Sequence, residues 1–140
     1  MNILIVTQYF YPENFRINDF AQEFQNRGQK VTVLTGIPNY PSGKFFNGYG
    51  IFKNNREVYK GIEIFRSPLI PRGSGSSIRL ALNYSSFIIG GIFTSIFLLE
   101  KKFDIIFVFE PSPITVCLPA IFIKKFKKTP ICFWVLDLWP

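Results

Sequence analysis

Three short stretches of this chain are apolar almost without interruption: "ILIVT" at 3–7, "DIIFVF" at 104–109 and "ICFWVL" at 131–136. A strand with one wet face alternates. A strand apolar on both sides must be covered on both, which places it inside a mostly parallel sheet with helices on either surface. After the first run the period changes. Ile17, Phe20, Ala21 and Phe24 stand at i, i+3, i+4 and i+7, predicting a helix over 15–27 with Asn14 as N-cap and Gly28 at the residue just past the end. "QKVTVLTG" then reads as a second strand closing at Gly36. A strand–helix–strand unit this short closes as a right-handed crossover between parallel strands. The expected fold class is α/β: a Rossmann-like, doubly wound, mostly parallel sheet.

The middle of the chain interrupts that rhythm. Residues 36–57 are rich in Gly, Pro, Asn and aromatic residues and show no period, so they read as one long functional loop. "EVYKGIEIFRSP" predicts a tight hairpin turning at Lys60-Gly61, and "RGSGSS" a flexible link. Residues 78–99 predict a long helix, apolar all round. Its length approaches the roughly 20 residues of a membrane span, but Asn83 and Gly90-Gly91 favour a helix held between the sheet and a second apolar surface. Residues 114–126 predict a further helix, kinked by Pro119 and ending in the basic run "KKFKK".

At 140 residues and 16.2 kDa the chain suits one domain. Its aromatic load of 17 Phe, 6 Tyr and 2 Trp, with a net charge of +7, fits an anionic membrane face or a phosphate-bearing ligand. Nucleic acid is disfavoured, since the aromatics fall within strands and helices instead of along a basic stripe. Without histidine, histidine bases and histidine-containing zinc sites are excluded. Cys117 and Cys132 sit in apolar runs and read as small buried hydrophobes of a reducing cytosol. "MNILIVTQYF" lacks the basic region and cleavage site of a secretory signal.

In such a fold the chemistry gathers beyond the carboxyl ends of the strands. That rule picks out residues 8–16, 36–40 and 110–112, together with Asp137. Glu13, Asn14 and Arg16 flank the first helix, where free N–H groups and a guanidinium suit phosphate or sugar hydroxyls. The same residues also suit a purely local use as dipole partner, cap and solvated cation. Glu110 and Asp137, each ending an apolar strand, fit either a ligand contact or a helix cap. G-x-G-x-x-G and the P-loop pattern are absent, which argues against an oxidoreductase or epimerase and against an NTPase.

Taken together, "ILIVTQYFYPENFRINDFA", "RGQKVTVLTGIPNYPSGKF", "LIPRG", "RLALNYSSF", "FDIIFVFEPSPITV" and "WVLDLWP" resemble the N-terminal half of family-4 glycosyltransferases. Within that family the similarity is to bacterial enzymes of O-antigen and capsule assembly, typified by N-acetyl-L-fucosamine transferases. It runs over nearly the whole chain, although "YFYPENFR" replaces the glycine-rich loop common in the wider family. The resemblance implies the acceptor-side half of a GT-B fold with the second domain missing, so that the chain reads as a fragment or truncated gene product. It further implies a retaining transferase without a metal or other cofactor. The donor it implies is a nucleotide-sugar and the acceptor a polyprenyl-diphosphate-linked saccharide, with the protein expected at the inner face of the cytoplasmic membrane. By that resemblance the loop with Glu13, Asn14 and Arg16 contacts donor phosphate or acceptor hydroxyls, Asn39 and Tyr40 form the acceptor wall, and Asp137 lines the sugar site as the catalytic candidate, while Glu110 is a substrate-contact candidate by its strand-end position. The fragment alone is expected to turn nothing over. The alternatives are a non-catalytic membrane-surface module and an inactive gene fragment.

Overall fold

The computed structural model describes residues 1–111 and 113–136. In chain order it runs β1 (Asn2–Val6), α1 (Arg16–Asn26), β2 (Lys30–Gly36), β3 (Arg56–Tyr59), β4 (Ile62–Ser67), α2 (Ser77–Ile96), β5 (Ile105–Glu110), α3 (Leu118–Lys127) and β6 (Ile131–Val135). The six strands form one sheet in the order β3-β4-β2-β1-β5-β6, parallel except for β3. With the hairpin strand β3 set aside, successive parallel strands lie in the order 3-2-1-4-5 of a doubly wound sheet. The α/β class and the mostly parallel sheet expected from the apolar runs are both present.

Alternation along each strand divides the core between the two faces. Ile3 and Ile5 of β1 meet Ile17 and Ala21 of α1, while Leu4 and Val6 meet Phe87 of α2 and Ala120 and Ile123 of α3. Each of the larger of these side chains, fully removed from water, contributes about 1.5–3 kcal/mol.

The turn at Lys60-Gly61 has both residues at positive φ, 49° and 82°, the backbone of a two-residue hairpin. The long loop narrows to 37–55 and is ordered. Phe45 and Tyr49 pack on the core, Phe46 N–H donates to the Pro38 carbonyl, and Gly73 N–H donates to the Gly43 carbonyl. That last bond also fastens down the "RGSGSS" segment, which the composition suggested was free.

Several expectations change. α1 begins at Arg16 with Phe15 as N-cap and no side-chain capping bond, and Asn14 is exposed. The side chain of Asn18 instead turns back and donates to the Glu13 carbonyl at 2.7 Å. Pro119 does not kink a helix. A 3-10 turn, Ile114–Cys117, precedes α3 and leaves Pro119 in the first helical turn, where no N–H is needed. β6 is an edge strand, so Cys132 is exposed and Cys117 only half-buried.

α2 ends at Ile96, and no helix among the described residues is long and apolar enough to cross a membrane. Nor is it apolar all round. Its inward side is Asn83, Phe87, Gly90, Gly91, Thr94 and Ser95. A Cβ at Gly90 would run into the Pro68 carbonyl, and one at Gly91 would stand 2.6 Å from Pro119 Cγ. The glycine pair therefore lets the helix backbone rest directly on the end of β4 and on α3.

Candidate functional site

The carboxyl ends of β1, β2 and β4 release three connectors, at 7–15, 37–55 and 68–76. Their junction is organised around Glu13, which is buried. The backbone N–H groups of Asn39 and Tyr40 donate to Glu13 Oε1 at 2.8 and 2.7 Å. Its other oxygen, Oε2, is buried with no hydrogen-bond partner. Burial pushes the carboxyl up to about 7, against the opposing pull of the Tyr40 and Asn39 N–H groups. Asn39 extends the junction: its Nδ2 donates to the Ile37 carbonyl, and its Oδ1 accepts the Arg72 N–H at 3.1 Å.

Above this base lies an aromatic shelf. Tyr9 and Phe15 stack at 4.9 Å and 9°, and Tyr40 leans on both, with centroids 5.7 and 5.4 Å away. The Arg72 guanidinium donates to the Tyr9 hydroxyl at 2.9 Å and lies 5.1 Å from the Tyr40 ring centre. Burial pushes the Tyr9 hydroxyl far above its ordinary value, with Arg72 opposing, so it stays a neutral phenol. Tyr9 is buried, Phe15 and Arg72 are half-buried, and Tyr40 is 40% exposed. The face presented outward is thus two rings and a cation. Such a face can stack on the apolar side of a sugar or base while the guanidinium grips an anionic oxygen.

Two further ties fix the connectors. Arg66 is buried, donates to the Glu57 carboxylate and the carbonyls of Tyr11 and Gly36, and lies 4.8 Å from the Tyr49 ring. Gln8 Nε2 donates to Asn83 Oδ1 at 2.7 Å, and Asn83 Nδ2 donates to the Ile70 carbonyl at 2.6 Å. The first connector is thereby held to β4 on one side and to α2 on the other.

The described residues among those expected from the sequence divide into three groups. Glu13, Asn39 and Tyr40 come together, but Glu13 and Asn39 are internal struts, so only Tyr40 is presented for direct contact. Asn14 is exposed on the same connector, and Arg16 is exposed at the first position of α1. Glu110 is buried at the end of β5, across β1 from that cluster and facing Cys117, whose thiol is pushed up mainly by burial and further by this carboxylate. Asp137 lies outside the described residues. Sequence reading missed Tyr9 and Arg72. A signal existed for each, since Tyr9 sits in the picked connector and Arg72 is the lone cation of "LIPRG". Among the described residues no group of three His, Cys, Asp or Glu side chains gathers at one point.

No protein-family model and no curated protein matches the chain. Two crystal structures of the C-terminal domain of a hydrogenase from Pyrococcus furiosus are similar in fold. One has a TM-score of 0.61 at 20% identity, covering 94% of this chain and 89% of that one. The other has a TM-score of 0.58 at 17% identity, covering 95% and 90%. At such identities the likeness extends to the fold alone: one sheet of mostly parallel strands between helices.

Proposed function

We propose that this chain is the acceptor-side half of a retaining GT-B glycosyltransferase. In this reading it helps transfer a sugar from a nucleotide-sugar to a lipid-linked saccharide during assembly of a bacterial surface polysaccharide. A second Rossmann-like domain holds the donor. One observation carries the reading: at the carboxyl rim, where open α/β sheets bind their ligands, the Arg72 guanidinium lies by the Tyr40 and Tyr9 rings and, among the described residues, donates to the Tyr9 hydroxyl and pairs with no carboxylate. A saccharide joined to a diphosphate offers the matching pair, an apolar ring face beside anionic oxygens. Glu13 and Asn39 hold the shelf in place, and Arg72 and Tyr40 make the contacts.

Calorimetric titration of the chain with a short-prenyl diphosphate N-acetylhexosamine tests this. Binding is expected with wild type, about tenfold weaker with Arg72→Ala as one charge-assisted contact is lost, and weaker again with Tyr40→Ala added. Equal binding by wild type and Arg72→Ala overturns the assignment. Sugar transfer by the isolated chain overturns the view that it is half of an enzyme.

A further inference from the structure

The amino end of the sheet holds a recess remote from the shelf at the carboxyl rim. Asn2 and Lys30, the first residues of β1 and β2, pair side by side there. Alternation puts Asn2, Lys30 and Thr32 on the same face as Leu4 and Leu34, the face that α2 and α3 cover. The segment joining α2 to β5 closes over them. Between the two lies a cavity of about 180 Å³ lined by Asn2, Lys30, Thr32, Lys101, Lys102 and Phe103.

Three ammonium groups line this recess, and they are held differently. Lys101 is already fixed. Its ammonium donates to Glu63 Oε2 at 2.7 Å, while Glu63 Oε1 accepts from Arg56 at 3.4 Å. The hydrogen bond from Lys101 holds the Glu63 carboxyl below its ordinary value, so this strut stays charged. Lys30 and Lys102 are exposed and, among the described residues, pair with no carboxylate. Asp104, next to Phe103 in the chain, is engaged with the Asn2 backbone N–H, which donates to it at 2.6 Å. Thr32 is only 2% exposed, and its hydroxyl is bonded to no group among the described residues. Two lysines just past a helix have an ordinary local use, offsetting the partial negative charge of that end of α2. That use does not account for Lys30, which comes from β2, or for an unbonded hydroxyl in the same recess.

A phosphate group matches this set. It carries enough negative charge for more than one cation and accepts several hydrogen bonds at once, and lysines bind it as point charges. The Thr32 hydroxyl and the Asn2 amide supply neutral donors for its remaining oxygens. Nucleic acid would need an extended basic stripe, whereas this recess admits one small group.

We infer that the recess at the amino ends of β1 and β2 binds a phosphate group, free or carried by a small soluble molecule. Lys30 and Lys102 are its main contacts, Lys101 is oriented toward it by Glu63, and Thr32 donates from the buried side. The site rests on nothing in the sugar-transfer reading.

Titration of the isotopically labelled chain with inorganic phosphate, and separately with a ribose phosphate, tests this by amide NMR shifts at constant ionic strength. Saturable shifts are expected at residues 30–33 and 101–104. Tighter binding of the ribose phosphate assigns an ester as the ligand, and tighter binding of inorganic phosphate assigns the free ion. Lys30→Gln with Lys102→Gln should weaken binding at least about tenfold as charge-assisted contacts are lost. Thr32→Val should weaken it about threefold, for one neutral hydrogen bond. Lys124→Gln with Lys125→Gln removes the same charge from exposed positions on α3 and should leave the affinity unchanged. Circular dichroism checks that each variant folds. Shifts that never saturate overturn the inference. So does unchanged affinity in the Lys30, Lys102 variant, or an equal loss in the Lys124, Lys125 variant. Shifts confined to residues 39–40 and 72 also overturn it, yet leave the proposed function standing, because they place the phosphate on the shelf.

Discussion

The two surfaces of the sheet are covered by helices that follow opposite rules. α1 hides Ile17 and Ala21, shows Asp19 and Glu23 to water, and balances those carboxylates with Arg16 and Arg27. α2 hides two glycines, an amide, two hydroxyls and a single ring, and shows its large aliphatic and aromatic side chains instead. The difference is one of approach. α1 stands off the sheet on bulky side chains, whereas the backbone of α2 is seated directly on the Pro68 carbonyl at Gly90 and on the Pro119 ring at Gly91. Close seating requires small residues, and its buried polar groups are tolerated because they are bonded: Asn83 to Gln8 and Ile70, and Ser95 Oγ to the Gly91 carbonyl at 2.7 Å. An apolar stripe therefore does not by itself say which way a helix faces.

The contrast can be broken most forcefully on α2 itself. Phe87→Ala removes its one large inward ring and is expected to cost about 3–5 kcal/mol in urea unfolding. A loss below about 1 kcal/mol would mean that the inner face is not packed as described.

Next in size is a pH effect. The α2 seat uses neutral amides and hydroxyls, whereas the approach to α1 contains the Glu13 carboxyl, pushed from 4.5 up to about 7. Between those values the folded protein keeps a proton that the unfolded chain has released. Stability therefore falls as pH rises through this window, by about 3 kcal/mol in total. Glu13→Gln should flatten that slope, read as the difference between wild type and variant in urea midpoints at pH 5 and pH 8. A difference that does not change with pH removes the buried charge from the picture.

Smaller is Gly91→Ala, whose new methyl meets Pro119 and should cost about 1–3 kcal/mol by overpacking. Smallest of all is Phe93→Ser, six residues from Phe87 on the same helix, which should change stability by no more than about 0.5 kcal/mol. A large loss there would mean that the outer face packs against this chain after all.

How much of this was legible depended on whether the signal was local. The strands, α1 and the Lys60-Gly61 hairpin follow from periods and turn chemistry carried within a few residues. So did the gathering of Glu13, Asn39 and Tyr40, because parallel strands must release their connectors at one rim. Asn14 failed as a cap because the helix starts one residue later, on Phe15. Arg66 and Arg72 went unread because their partners come from distant segments: Tyr11, Gly36 and Glu57 for one, Tyr9 and Asn39 for the other. The orientation of α2 was unreadable for the same reason, since the surfaces that demand its glycines, Pro68 and Pro119, belong to other elements.

A rod resting on bare backbone cannot roll. Its neighbours at Pro68 and Pro119 lock the azimuth of α2, and with it the bearing of the whole sheet. With that roll fixed, Asn83 is held at the carboxyl rim, where it ties Gln8 and the Ile70 carbonyl, so a shift of the helix would pass straight to the connectors that carry the shelf.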